Sequence, residues 1–387
     1  MRGVLLDLTP LVTLSTLRGI GRYARGLVQG LAEVGDDPEL PVRAFSADHD
    51  LRRLFMVDDP VEYCARPAQK PRTDADGRRS FRLWWSGARL ARTHGGLLHL
   101  TDPKGLPRTP RQQLSLTCHD LIPLVMHEEY LPPIPGWDRL FAALQRVRYE
   151  RAQRVIAVSH ATKRDLCERL GIPEERVDVV WHGVDHAIFQ PVAAPGERAR
   201  LAPLGADDRP FVLYVGAGDA RKDLDTLVQA FARSRLRGEA RLLIVGRLAP
   251  TRQATLVKLC RALQVEEDVR LVGYVEEELV PLLYRQAAIH VFASRYEGFG
   301  LPVLEALAAG VPTITSPGSS LDEVAGDAAI IVPCGEREAL SAALEEVFFS
   351  PEKQADLRAR GLARAAQFTW RRCAAQTRDS WRRALSA

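Results

Sequence analysis

Short, mostly apolar runs recur along the chain, each followed by a stretch with helical spacing. In the first half they fall at residues 4–8, 42–45, 97–100, 114–118, 154–158 and 177–181. In the second half they fall at 211–215, 241–245, 269–272, 289–293, 311–315 and 329–332. Apolar runs this short, bounded by turn residues, predict strands buried on both faces, as in a parallel sheet covered by helices. Between them, Ile20, Tyr23, Leu27 and Leu31 share one helical face, and residues 137–153 have amphipathic helical spacing. Ser159 is a good N-cap for a helix ending at Gly171. Residues 81–92, with adjacent Trp84 and Trp85, also read as helical, as does the tail over 351–386 with Trp370 and Trp381. Regular strand–helix alternation predicts an α/β protein with two doubly wound parallel sheets.

Two stretches break the pattern. Residues 60–80 carry Pro67, Pro71, Gly77 and many charges, and read as an unstructured surface loop. Residues 190–210 hold Pro191, Pro195, Pro203, Pro210, Gly196 and Gly205 with little periodicity, and read as an inter-domain linker. The expected organisation is a first domain over 1–190, a linker over 191–210, a second domain over 211–366 and a terminal helix over 367–387.

Size and composition agree with this division. A chain of 387 residues is too long for one ordinary core. Its 46% hydrophobic and 26% charged residues are those of a globular protein. With 53 basic and 49 acidic residues the net charge is +4, too weakly basic to point to nucleic acid. It suits anionic substrates or loose contact with an anionic membrane surface. The six cysteines are scattered, without a Cys-x-x-Cys zinc pattern or a disulfide framework. The apolar N-terminal stretch is interrupted by Asp7 and reads as a strand, not a signal peptide. No run approaches the ~18 apolar residues of a membrane span. A cytoplasmic protein is expected.

The candidate chemistry lies at the ends of the expected strands, where ligands bind in open α/β sheets. Most specific is Glu297-Gly298-Phe299-Gly300-Leu301-Pro302-Val303-Leu304-Glu305, a strand–loop–helix unit with two carboxylates in an apolar setting. Pro302 suits the first turn of a helix, where a missing N–H costs little. A buried carboxylate needs partners, and two neighbouring sugar hydroxyls match its two oxygens. A second string is Gly216-Ala217-Gly218-Asp219-Ala220-Arg221-Lys222. Its glycines let the chain turn tightly, and two cations just before a helix N-terminus suit a diphosphate. Arg247 closes the next strand. The Tyr274-Val275 backbone after the third is placed to read a nucleobase edge, and 316–320 is a further candidate ligand loop. In the first half, Arg18-Gly19-Ile20-Gly21-Arg22 is a glycine turn with added charge, and His119 ends a strand, with His127 as a weaker second contact.

Taken together, Arg18-Gly19-Ile20-Gly21-Arg22-Tyr23, His119-Asp120-Leu121-Ile122-Pro123, Gly216-Ala217-Gly218 with Arg221-Lys222, and the Glu-x7-Glu element Glu297–Glu305 resemble the family 4 retaining glycosyltransferases of the GT-B fold, over nearly the whole chain. The resemblance implies two Rossmann-like domains facing each other across a cleft, with the terminal helix packing back on the first. It implies that Arg221 and Lys222 hold the donor diphosphate, that Glu305 binds the ribose diol, and that Glu297 contacts donor-sugar hydroxyls with the Gly298, Phe299, Gly300 and Leu301 backbone. His119 would touch the donor sugar, and Gly19 and Gly21 would lie against phosphate or acceptor. Asp223 departs from the family's usual Asn.

Breaking the anomeric C–O bond puts negative charge on the diphosphate, and fixed cations there are the largest available stabilisation. With two basic residues in place, and no Asp-x-Asp element in a plausible position, no metal and no other cofactor is expected. The His-Asp-Leu-Ile-Pro variant resembles the mannosyltransferase-type branch, which implies GDP-mannose as donor. UDP-glucose or another nucleotide sugar is the alternative. The acceptor is a glycan, a lipid-linked sugar or a small molecule, with peripheral contact at the inner membrane face and no nucleic acid as partner. Two rival readings are a nucleotide-sugar 2-epimerase and a non-catalytic sugar-nucleotide-binding module.

Overall fold

Hydrogen bonding gathers the apolar runs into two sheets. The computed structural model describes residues 3–17, 19–48, 54–66, 96–102, 113–206 and 209–386. Its chain forms two units, Met1–Gly183 with Phe368–Ala387, and Val184–Gln367.

The first unit holds β1 (Gly3–Asp7), β2 (Val42–Ala47), β3 (Leu54–Val57), β4 (Gly96–Leu100), β5 (Gln113–Cys118), β6 (Arg154–Ala157) and β7 (Val177–Val179). Their order is β3-β2-β1-β4-β5-β6-β7. All neighbours are parallel except β2 and β3. Side chains alternate across the sheet, as the pleat requires. Val4, Leu6 and Leu97 face the helix Gly19–Val34 through Tyr23, Leu27 and Leu31. Leu5, Leu98, Leu116 and Val155 face the opposite layer of Tyr149, Leu166 and Leu170. The helix His160–Leu170 is capped by Ser159, whose hydroxyl accepts from Thr162 N–H, and ends on left-handed Gly171.

The C-terminal helix Trp370–Ser386 belongs to this unit and runs along Gly19–Val34. The approach is close enough to demand glycine. A Cβ on Gly26 would lie 2.1 Å from the Trp370 ring, and one on Gly30 2.1 Å from the Trp370 carbonyl oxygen. Trp381 and Ala384 join the core beneath. Ser380 donates to Asp178 at 2.7 Å, and Arg382 pairs with Asp37 at 2.7 Å.

The second unit holds β8 (Phe211–Val215), β9 (Arg241–Val245), β10 (Val269–Gly273), β11 (Ile289–Phe292), β12 (Thr313–Thr315) and β13 (Ile330–Ile331). The sheet is parallel throughout, in the order β10-β9-β8-β11-β12-β13.

Three stretches differ from the sequence reading. β3 is an unforeseen antiparallel edge strand of four residues, too short for its alternation to stand out. Within 60–80, residues Pro60–Ala65 form a helix, started by Pro60 and capped by the Asp59 carboxylate on Val61 and Glu62 N–H. The remainder of that loop, and the expected helix with Trp84 and Trp85, lie outside the described residues. Within 190–210, Glu197–Leu201 is helical and continues into the turn Ala202–Leu204. Leu201 and Ala206 are fully buried in the second unit, and Arg285 holds Glu197 at 2.9 Å. That stretch is part of the second unit, not a free linker. Its prolines flank a short helix and hide the periodicity. The change of unit falls instead at Gly183–Val184. Among the described residues, no helix is long and apolar enough to cross a membrane.

Candidate active site

In each sheet the strand order reverses once, between β1 and β4 in the first unit and between β8 and β11 in the second. The loops leaving these strands border the crevice where open sheets bind ligands. The sequence places its charged and glycine-rich strings on those loops.

In the second unit, β8 leads to the Gly216–Gly218 turn, whose amides donate to the Val245 carbonyl at 2.9 Å and the Arg247 carbonyl at 3.3 Å. The chain then makes a single 3-10 turn, Ala220–Lys222. β11 leads to Glu297. These two loops are stitched together: the Arg221 carbonyl accepts from Arg295 N–H at 2.7 Å and from the Ser294 hydroxyl at 3.2 Å. The Arg221 guanidinium donates to the Tyr296 carbonyl at 3.0 Å and to Glu297 Oε1. Lys222 Nζ reaches the same Oε1 at 2.5 Å and sits 4.4 Å above the Phe292 ring. Lys222 and Glu297 are both buried. Burial lowers the Lys222 pKa, against the pull of Glu297. Burial opposes ionisation of Glu297, but Lys222 and Arg221 outweigh it and hold its pKa below the usual value. The three groups form a cluster of two cations on one carboxylate.

Gly298, Phe299 and Gly300 carry the chain into the helix Leu301–Ala308. Gly300 has φ 101°, and a Cβ there would lie 2.5 Å from Leu321. Glu305 is buried in the second turn of this helix and accepts from the Tyr284 hydroxyl at 3.2 Å. The ring of His290 packs against both Tyr284 and Phe292, so one aromatic layer underlies Glu305 and Lys222.

Arg247 lies over the Tyr274 ring at 4.8 Å, and Tyr274 is 51% exposed. Val275 turns its side chain into the core. The loop over 316–320 has a positional use that its glycine and serines did not reveal. Ser316 donates to the Ser294 carbonyl at 2.5 Å, and Ser320 to the Glu297 carbonyl at 2.9 Å, fixing the backbone that presents the acid.

Asp223 is accounted for by the backbone. It adopts φ 50°, a left-handed conformation that Asn and Asp tolerate best. Its carboxylate accepts from Thr226 Oγ1 at 2.9 Å and from Gly335 N–H at 3.0 Å. Asp223-Leu224-Asp225 has Asp-x-Asp spacing, and Asp225 is engaged by Arg252 at 2.7 Å. The two acids border a pocket of about 430 Å³ that Arg252 and Arg295 also line.

In the first unit, Gly19-Ile20-Gly21 is not a turn ahead of the helix, as the sequence suggested, but the start of the helix Gly19–Val34 itself, and Arg22 is half-buried in its first turn. Arg18 lies outside the described residues. His119, just past β5, donates from Nε2 to the Thr101 carbonyl at 2.7 Å. It packs edge-on to Tyr23 at 5.1 Å and stacks on His182 at 5.8 Å. His182 follows β7 much as His119 follows β5, and was not singled out as a site residue. Burial, and then the neighbouring His119, push the His182 pKa well down and that of His99 to about 3. His127 is exposed on a separate short helix, His127–Tyr130, and does not join this group.

Asp7 and Asp102 end β1 and follow β4, respectively. Asp7 accepts from Thr9 N–H at 2.8 Å, and Ser15 donates to Asp102 at 3.2 Å. Burial raises the Asp7 pKa to about 6, with a smaller push from Asp102.

The family models agree with this layout. "Glycosyltransferase Family 4" matches residues 17–188, and "Glycosyl transferases group 1" matches 198–364. The chain is 35% identical to the O-antigen chain mannosyltransferase B of Escherichia coli, over 95% of this chain and 96% of that protein. The chain belongs to glycosyltransferase family 4. It is a transferase, which sets aside the epimerase and the idle-module readings. The family 4 relatives include the MMP alpha-(1->4)-mannosyltransferase of Mycolicibacterium hassiacum, 28% identical over 95% of both chains. Among solved structures, sucrose-phosphate synthase from Thermosynechococcus elongatus superposes with a TM-score of 0.76 at 24% identity, covering 99% of this chain and 98% of that one. The glycosyltransferase WaaG superposes at 0.68 and 16% identity, covering 97% and 98%. These likenesses establish the GT-B fold.

Proposed function

We propose that this family 4 glycosyltransferase moves mannose from GDP-mannose to a glycan, lipid-linked or small-molecule acceptor, with retention at the anomeric carbon and without a metal. The observation that carries the reading is the convergence of Arg221, Lys222 and Glu297 at the β8–β11 reversal. Arg221 and Lys222 take the donor diphosphate and neutralise the charge that builds on the leaving nucleotide. Glu305 receives the ribose diol. Glu297 receives sugar hydroxyls, its backbone steadied by Ser320. His119 contacts the donor sugar, with its tautomer set by the Thr101 carbonyl. Exposed Tyr274 under the Arg247 guanidinium supplies a stacking face and fixed donors, a pairing suited to a guanine edge. The mannosyltransferase names of the two relatives support the choice of sugar.

Attack on the face from which the nucleotide leaves, through an oxocarbenium-like state, accounts for retention without a covalent intermediate. In this reading Glu297 serves the sugar hydroxyls, not the anomeric carbon. Transfer assays with GDP-mannose, UDP-glucose and ADP-glucose in EDTA test the donor. Product from GDP-mannose alone supports the reading, and product from UDP-glucose alone replaces the sugar and base. Lys222→Ala lowers turnover by more than about 10²-fold, the scale of losing one charge-stabilising group.

A further inference from the structure

Thirteen large hydrophobic side chains are exposed among the described residues, and six of them fall within residues 130–147: Tyr130, Ile134, Trp137, Leu140, Leu144 and Val147. Four belong to the helix Trp137–Glu150. Their spacing of three and four puts Trp137, Leu140, Leu144 and Val147 on one stripe. Leu140, Leu144 and Val147 are 50%, 61% and 58% exposed. This is not the face that holds the helix to its unit. Tyr149 is fully buried on the inner face, and Phe141 and Ala142 pack against the same core. The helix therefore has a satisfied apolar side and a second apolar side turned outward. Single exposed hydrophobics need no explanation, but a continuous stripe does.

Charge decides what covers it. The helix carries Arg139, Arg146 and Arg148, with Arg151 just beyond, against Asp138 and Glu150. Arg146 holds Glu150 at 2.6 Å. Glu128 and Glu129 lie earlier, before the prolines 132, 133 and 135 that lead into the helix. A second copy across a two-fold axis would set these arginines against one another. A stripe about 15 Å long on a helix about 10 Å across covers roughly 150 Å², short of the ~800 Å² per partner that stable protein interfaces bury. A bilayer surface meets both demands. Leucine, valine and tryptophan enter the headgroup–acyl boundary while arginine heads reach lipid phosphates on either side.

We infer that the stripe Trp137, Leu140, Leu144 and Val147, with its flanking arginines, docks this chain on an anionic lipid bilayer. The inference rests on the glycosyltransferase reading only for its purpose, delivery to a lipid-linked acceptor, and is tested without turnover. The full chain is sedimented with phosphatidylcholine vesicles, with and without phosphatidylglycerol, beside the exposed-site variant Leu140→Gln/Leu144→Gln. The wild-type chain binds the anionic vesicles and binds the neutral ones more weakly, and the variant loses at least about tenfold in vesicle affinity. Calorimetric nucleotide binding is the same in both, which separates this inference from the donor site. Failure of the wild-type chain to bind anionic vesicles, or equal binding by the variant, overturns the inference. So does a wild-type dimer that the variant converts to monomer, because a second copy is then the occupant.

Discussion

Lys222 Nζ lies 2.5 Å from Glu297 Oε1, and the Arg221 guanidinium converges on the same oxygen. One carboxylate therefore occupies the two cations that the proposed reading assigns to a diphosphate. A diphosphate entering the site competes with Glu297 for them, and the displaced carboxylate becomes available to sugar hydroxyls.

Removing that internal competitor separates binding from catalysis. Glu297→Gln binds GDP more tightly, by about tenfold, since a close charge pair no longer opposes the ligand. The same variant transfers sugar more slowly, by about 10²-fold, because the contact to the reacting sugar is weakened. Calorimetry and steady-state transfer read the two effects. Weaker GDP binding in Glu297→Gln would show that the carboxylate organises the cations instead of competing with the ligand.

The Lys222 pKa is lowered by burial despite the pull of Glu297. The cation is thus lost at a lower pH than that of an ordinary lysine, about 10.4. The alkaline limb of kcat/KM, which reports the free enzyme, falls below that value. Lys222→Arg moves the limb upward, because a guanidinium stays charged past pH 12. A limb unmoved in Lys222→Arg assigns the titration to another group.

Asp7 holds its proton more tightly folded than unfolded, with a pKa raised from 3.8 to about 6 by burial. The stability it lends is complete below pH 3.8 and is lost as the pH rises to about 6. Asp7→Asn, neutral at every pH, is therefore more stable at pH 7, by up to about 3 kcal/mol from 1.36 kcal/mol per pKa unit. The advantage shrinks as the pH is lowered toward 4. Urea titrations at several pH values check the sign, and a less stable variant at pH 7 would show that the charged form is needed.

The close approach at Trp370 makes Gly26 a stability position remote from the chemistry. Gly26→Ala forces the indole or the whole terminal helix outward and costs about 1–3 kcal/mol, the range for overpacking a core. Nucleotide affinity is unchanged, because the cations sit in the other unit. Thermal unfolding and calorimetry on one preparation check both halves.

The parallel strands were legible because burial on both faces leaves dense apolar runs. Lys222 and Glu297 were legible as neighbours of tight glycine turns. What the sequence did not disclose lies where a residue's use depends on a distant partner. Ser320 acts on the Glu297 carbonyl, and Asp223 answers a left-handed backbone and the amide of Gly335. His182 gains meaning only by stacking on His119. The helix Glu197–Leu201 was hidden by the prolines on either side of it, and the outward stripe at Leu140 and Leu144 looked like any amphipathic helix, since periodicity alone does not say which side faces the core.

The central claim, that Arg221 and Lys222 form the diphosphate site, is tested most directly by titrating GDP, UDP, ADP and dTDP into the wild-type chain and into Arg221→Ala/Lys222→Ala, with and without EDTA. The account predicts that GDP binds the wild-type chain most tightly, equally well in EDTA, and that the double variant loses at least about 10²-fold in affinity while keeping its fold by circular dichroism. Undiminished GDP binding by the folded double variant would contradict it.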